Sequence, residues 1–237
     1  MSSRVITFYS YKGGVGRTLA LAGVGAQLAK WGWRVLLVDF DLEAPGLEEY
    51  CLRDVSGTDH PGGLLDLIAP RSDVPDWRRL VRRVTLDPDL GDRLHLLSAG
   101  DGTAPDFRSR LHHIDWRALF EKHDLGRRLL DLRAEWASSY DLVLIDSRTG
   151  LTDIQDICTA LLPDTLVLLF TGNQQSLSGC VDVAHHSRKV RDALPAPLRF
   201  LRVVPVLSRW DDAADPGTRE FWHKERSEEH TSELQSP

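Results

Sequence analysis

Residues 11 to 18 read YKGGVGRT, and these residue types at this spacing suit the cradling of phosphate. Gly13, Gly14 and Gly16 can take positive φ and turn backbone N–H groups toward an anion. A helix starting at the loop would aim its positive end at the same point. Arg17 offers a cation to a β- or γ-phosphate, and Thr18 a hydroxyl to Mg2+. Lys12 adds a second cation five residues earlier. The standard phosphate loop is GxxxxGK[ST], and this chain departs from it twice: Tyr11 takes the place of the first glycine and Arg17 that of the lysine. Arginine stays charged and binds in a bidentate way, but it is planar and bulkier, so it meets phosphate differently.

Two carboxylate motifs accompany the loop. In VDFDLEAPGL, residues 38–47, an apolar run ends in Asp39 and Asp41. Strand alternation puts both on one side at the carboxyl end, where α/β sheets hold ligands. Helix capping is the plainer reading of this pair. Glu43 is a second acidic candidate, or a solvent or interface carboxylate. In DLVLIDSRTG, residues 141–150, another apolar run ends in Asp146. Mg2+ takes one or two carboxylates and keeps several waters, which suits such an arrangement. Arg148 is read in two ways, as an internal arginine finger or as an ion-pair partner of Asp153 or Asp41.

The elements that must position these groups alternate between strand and helix. Strands are expected at Val5–Tyr9, Arg34–Phe40, RLHLLSAG, Asp141–Ile145, Leu166–Thr171 and FLRVVPVLSR. Helices are expected at Thr18–Lys30, GGLLDLI, WRRLVRRV, Arg117–Ser138, Ile154–Leu162 and Ser178–Leu194. The pattern predicts an α/β fold, a mainly parallel, doubly wound sheet with helices on both faces. WRRLVRRV reads as a basic amphipathic helix, solvated or facing a partner or DNA.

KGGVGRT resembles the deviant Walker A motif, KGGxGK[ST], of the ParA/MinD superfamily of P-loop ATPases, in a subgroup with KGGVGR for KGGVGK. The resemblance covers residues 4 to about 210. It implies ATP and Mg2+ as ligands, held by Lys12, Gly13, Gly14, Val15, Gly16, Arg17 and Thr18. It also implies an ATP-dependent homodimer in which Lys12 reaches the partner's nucleotide. Residues 38–47 resemble the family's switch I, so Asp41 would orient or deprotonate the attacking water and Asp39 would support Mg2+. Asp146 matches the Walker B aspartate, giving Thr18, Asp39 and Asp146 as the metal residues. Catalysis would fall to Asp41, Lys12 and Arg17. Ser147-Arg148-Thr149 departs from the family's Thr and two prolines, and Gly150 is read as a γ-phosphate sensor. TGNQQSLSG matches a loop near the dimer interface, or caps a helix at Ser176 or Ser178. Ser208 and Arg209 fall where the family reads the purine, but the usual asparagine is absent, so adenine rests on the resemblance.

Composition sets the remaining bounds. The 237 residues carry a net charge of -6, which disfavours a general nucleic-acid coat. No apolar run approaches the ~20 residues of a membrane span, and the N-terminus lacks signal-peptide shape. Cys51, Cys158 and Cys180 form no CxxC; they read as packing residues of a cytoplasmic protein and argue against a metal-cluster carrier. Adjacent pairs His112-His113 and His185-His186 suit no shared metal, since neighbouring helical residues diverge. The body has 23 Arg against 5 Lys and one Asn, a bias absent from RSEEHTSELQSP, residues 226–237. That segment resembles a translated sequencing adapter, the other reading being a disordered tail. One P-loop NTPase domain is expected over 1–225, truncated at its C-terminus. The leading function is a slow ATPase that signals its state to a protein partner. The alternatives are a non-hydrolysing switch and a tyrosine kinase, which would want a C-terminal tyrosine cluster.

Overall fold

The computed structural model of the chain describes residues 4–52, 60–69, 74–84, 87–102, 104–147 and 156–209. Seven strands form one sheet: β1 (Arg4–Ser10), β2 (Val35–Asp39), β3 (Val81–Arg83), β4 (Leu94–Leu97), β5 (Leu142–Asp146), β6 (Thr165–Phe170) and β7 (Arg202–Leu207). Their order is β3-β4-β2-β5-β1-β6-β7. All pairings are parallel except that of β3 with β4. The helices are α1 (Arg17–Lys30), α2 (Leu47–Cys51), α3 (Leu64–Ile68), α4 (Phe107–His112), α5 (Trp116–His123), α6 (Leu125–Ser139), α7 (Gln174–Asp192) and α8 (Ala196–Arg199). This is the α/β, mainly parallel arrangement that the alternating pattern predicts.

The unbroken apolar run of β2 follows from burial on both sides. Val35 and Leu37 join the core under α1 with Leu21, Leu94 and Leu144, whereas Leu36 and Val38 join the opposite core with Val143, Ile145, Leu129 and Trp136. Gly25 lets α1 lie close to the sheet: a Cβ there would come within 2.7 Å of Leu37 Cδ2.

Three expected elements differ. WRRLVRRV is no helix: Trp77–Arg79 is a single tight turn and Val81–Arg83 is the antiparallel edge strand. Leu80 is buried in the core, and Trp77 lies there too, its indole donating to Glu135 at 2.8 Å. The stretch therefore presents no continuous basic helix face. Arg117–Ser138 divides at Asp124, whose φ of 50° ends α5 and starts α6; aspartate tolerates this left-handed geometry better than most residues. The helix expected from Ser178 begins at Gln174, capped by the Asn173 side chain accepting from Ser176 N–H at 2.8 Å. The cap is thus Asn173 and not Ser176 or Ser178. Of Ile154–Leu162, the described part holds one wide helical turn, Ile157–Leu161.

Candidate nucleotide site

The glycine loop joins β1 to α1 at the carboxyl end of the sheet. Gly14 and Gly16 have φ of 74° and 84°, a left-handed backbone that side chains rarely adopt. A Cβ added at Gly13, Gly14 or Gly16 would meet nothing within 4 Å, so the space over the loop is open. Val15 is buried in the core beneath α1 and pins the loop from below. Gly16 directly precedes α1, whose first turn holds no acidic residue. Positive φ, open space and the helix N-terminus converge on one anion-sized position.

Asp39, Asp41 and Asp146 gather beside this loop. Asp39 and Asp146 are register neighbours at the ends of β2 and β5, and all three are buried. Arg17 extends from the first turn of α1 into this cluster. Its Nε donates to Asp146 Oδ1, and its Nη2 donates to Asp41 Oδ2 at 2.9 Å. Thr18 Oγ1 donates to the other oxygen of Asp146 at 2.7 Å. Burial disfavours the charge on Arg17, but Asp146 and Asp41 more than offset it and keep the guanidinium protonated. Burial pushes the Asp146 carboxyl above the usual carboxylate range, with Arg17 and Thr18 opposing the shift.

Asp39 has a different set of contacts. Its Oδ1 accepts from Asp41 N–H at 3.0 Å, and its Oδ2 accepts from Gly46 N–H at 3.2 Å and Leu47 N–H at 3.1 Å. This one carboxylate holds the turn from Asp41 to the start of α2. Burial, reinforced by the charge of Asp146, pushes it up to about 7. Sequence reasoning gave Asp39 to the metal and kept helix capping as the other reading; the bonds to Gly46 and Leu47 at the start of α2 follow the second, and the bond from Asp41 N–H was not foreseen. Thr18 and Asp146 are hard oxygen donors already in contact and suit Mg2+, which needs few protein ligands. Among the described residues no group of three or more His, Cys, Asp or Glu is arranged to hold a metal by itself.

Lys12 lies away from the carboxylates, with Nζ donating to Gln175 Oε1 at 2.5 Å. Tyr11, at the departing first-glycine position, sets its ring against Gly179 of α7, where a Cβ would come within 2.2 Å of it. Gln175 and Gly179 belong to TGNQQSLSG, which the sequence reading singled out, but their contacts with Lys12 and Tyr11 were not legible over more than 160 residues. Ser208 caps the end of β7, with both N–H and hydroxyl directed to the Phe170 carbonyl. Arg209 follows with φ of 53°. Arg148, Gly150 and Asp153 lie outside the described residues, as does 226–237.

The other candidates resolve more simply. Cys51, Cys158 and Cys180 are free and buried, and burial pushes the Cys51 thiol up to about 12. His186 contacts Asp156 at 2.8 Å and His113 contacts Ser109. No described helix is long and apolar enough to cross a membrane. A cleft of about 1200 Å3 lies beyond the turn 42–46, lined by residues such as His60, Arg108 and Trp116. It includes none of residues 11–18.

Comparison with known proteins agrees with this geometry. Residues 6–214 match the family described as the CobQ/CobB/MinD/ParA nucleotide binding domain. The chain is 28% identical over 205 residues to the "Probable plasmid-partitioning protein ParA" of Thermus thermophilus, covering 84% of this chain and 56% of that protein. It thus spans little more than half the length of that relative. Among solved structures, a plasmid partition protein from Borrelia burgdorferi superposes with a TM-score of 0.67 at 16% identity, over 94% of this chain and 85% of the other. The septum site-determining protein MinD of Pyrococcus horikoshii, complexed with Mg-ADP, gives 0.65 at 20% identity, over 92% and 76%. These similarities extend over the glycine loop, the two acidic strand ends and nearly the whole described sheet, and the chain belongs to the CobQ/CobB/MinD/ParA nucleotide-binding domain family.

Proposed function

We propose that the chain binds Mg–ATP at the glycine loop, dimerises around it, hydrolyses it slowly and acts as a molecular switch for a protein partner in the cytoplasm. The observation that carries this reading is the open, left-handed Gly14–Gly16 turn at the head of α1, beside the buried Asp41 and Asp146. Backbone N–H groups of Gly13, Gly14, Val15 and Gly16 would hold the phosphates. Thr18 and Asp146 would hold Mg2+, and Asp39 would support it indirectly by fixing the Asp41 turn. The metal supplies charge neutralisation at the phosphates when bound. Arg17 would serve the β/γ-phosphates of its own subunit. Ser208 and Arg209 would meet the purine, and Gly150 would sense the γ-phosphate.

Lys12 is assigned to the partner subunit's nucleotide. Its contact with Gln175, away from its own carboxylate cluster, supports that division. Asp41 would orient the attacking water, since positioning and electrostatics dominate phosphoryl transfer.

Phosphate release and light scattering on chromatographed protein test the scheme. Asp41→Ala should keep nucleotide and lose turnover by ~10²-fold or more. Lys12→Ala should bind nucleotide but stay monomeric. Mixing the two variants should restore about half-site activity, because one site then has its own Asp41 and a partner Lys12. Mixed dimers that stay inactive would refute the role of Lys12 across the interface. Phosphotyrosine in place of free phosphate would favour a kinase.

A further inference from the structure

We infer that Arg17 is a built-in counter-cation, which occupies the metal side of the site and lets Mg2+ and nucleotide bind tightly only together. This rests on the Mg–ATP reading above. The guanidinium spans two carboxylates, Asp146 and Asp41, and all three side chains are nearly enclosed, with 8%, 2% and 12% of their surface exposed. Both oxygens of Asp146 already accept a donor, from Arg17 and from Thr18. Asp41 spends its second oxygen on Ala44 N–H at 3.3 Å, and Asp39 spends both of its own on backbone amides. The loop's other cation, Lys12, is engaged with Gln175.

Charge bookkeeping then dictates the coupling. Mg2+ arriving alone at Asp146 would displace the guanidinium from that carboxylate and leave it buried against Asp41 alone, beside a second positive charge. Nucleotide arriving alone would draw Arg17 to its phosphates and leave Asp41 and Asp146 buried without a cation. Each half-step leaves buried charge unbalanced, which is disfavoured. When both arrive, the phosphates would take Arg17, and the metal, held by Thr18 and Asp146, would balance the charge of the carboxylate cluster. Each ligand therefore raises the affinity for the other by the same factor. A lysine could not do this equally well, since a compact ammonium on a flexible stem does not bridge two carboxylates as a planar fork does. Arg17 on this view sets metal dependence as well as contacting phosphate.

The test uses the full chain, a non-hydrolysable ATP analogue and Mg2+. Calorimetry gives the analogue's affinity in saturating Mg2+ and in EDTA, for wild type and Arg17→Lys. We expect a Mg2+ enhancement in wild type on the order of 10²-fold, falling by about tenfold or more in Arg17→Lys. A second readout needs no variant. In nitrogen-15 spectra the Arg17 Nε–H should be visible and slow to exchange in the free protein. It should ignore millimolar Mg2+ alone and move when analogue and Mg2+ are added together. Movement on Mg2+ alone, a fast-exchanging Nε–H in the free protein, or equal enhancement in both proteins would overturn the inference while leaving nucleotide binding intact. Absence of analogue binding by folded wild type would instead remove the Mg–ATP reading and this inference with it.

Discussion

The role of Asp39 can be tested without any ligand. Its carboxylate accepts three backbone N–H bonds from the turn between β2 and α2, two of them, from Asp41 and Leu47, in fully buried surroundings. Asp39→Ala removes both acceptor oxygens and with them all three bonds. A buried donor left unpaired costs ~1–3 kcal/mol, so two such donors cost about 2–6 kcal/mol, while the half-buried Gly46 amide can turn to water. Removing a buried charge next to Asp146 returns part of that, and the expected net loss is about 2–4 kcal/mol. Asp39→Asn keeps one oxygen, enough for the Gly46 and Leu47 pair, and drops the charge; its expected loss is below about 2 kcal/mol. Urea unfolding of the nucleotide-free chain reads both values. Hydrogen exchange should show amides 41–47 opening faster in Asp39→Ala alone. Equal losses for the two variants, or a loss under ~1 kcal/mol with unchanged exchange, would refute the idea that this carboxylate organises the turn.

Two further outcomes are expected. Because burial and Asp146 push Asp39 up to about 7, its protonated form is the one the fold favours. The sign follows: this contribution is fully present below the ordinary carboxylate pKa and is lost as pH rises through about 7, so nucleotide-free wild type should lose stability across that window and Asp39→Asn should show a flatter profile by urea titration at each pH. Gly179→Ala should destabilise by ~1–3 kcal/mol through overpacking, since its Cβ would come within 2.2 Å of the Tyr11 ring, and Tyr11→Ala in the same chain should recover much of that loss in a double-mutant cycle read by thermal unfolding.

Local chemistry was legible in the sequence and long-range pairing was not. The apolar run of β2 announces a strand covered on both faces, and the glycines of 13–16 announce a loop built for an anion, because each is a property of a few adjacent residues. WRRLVRRV misleads because Trp77 and Leu80 fill the core in a tight turn while Val81 pairs with Leu97 at the sheet edge; tertiary packing overrides a helical period. Asp124 gave no composition signal for the break between α5 and α6. The Arg17–Asp146 contact spans 129 residues and the Lys12–Gln175 contact 163, distances over which a single sequence carries no pairing information. The motif identifies which groups are cations and which are carboxylates. The fold decides that Arg17 rests among the carboxylates while Lys12 turns toward α7.

The loop from Lys12 to Thr18 is proposed above as a Mg2+-dependent nucleotide site. The most direct measurement is a calorimetric titration of the folded chain with a non-hydrolysable ATP analogue, in Mg2+, for wild type and Arg17→Ala. Saturable binding at one nucleotide per chain is expected. Affinity should be lower in Arg17→Ala by about 1.5–3 kcal/mol, the worth of a charged hydrogen bond. No heat from wild type with Mg2+ present, or wild-type affinity in Arg17→Ala, would contradict it.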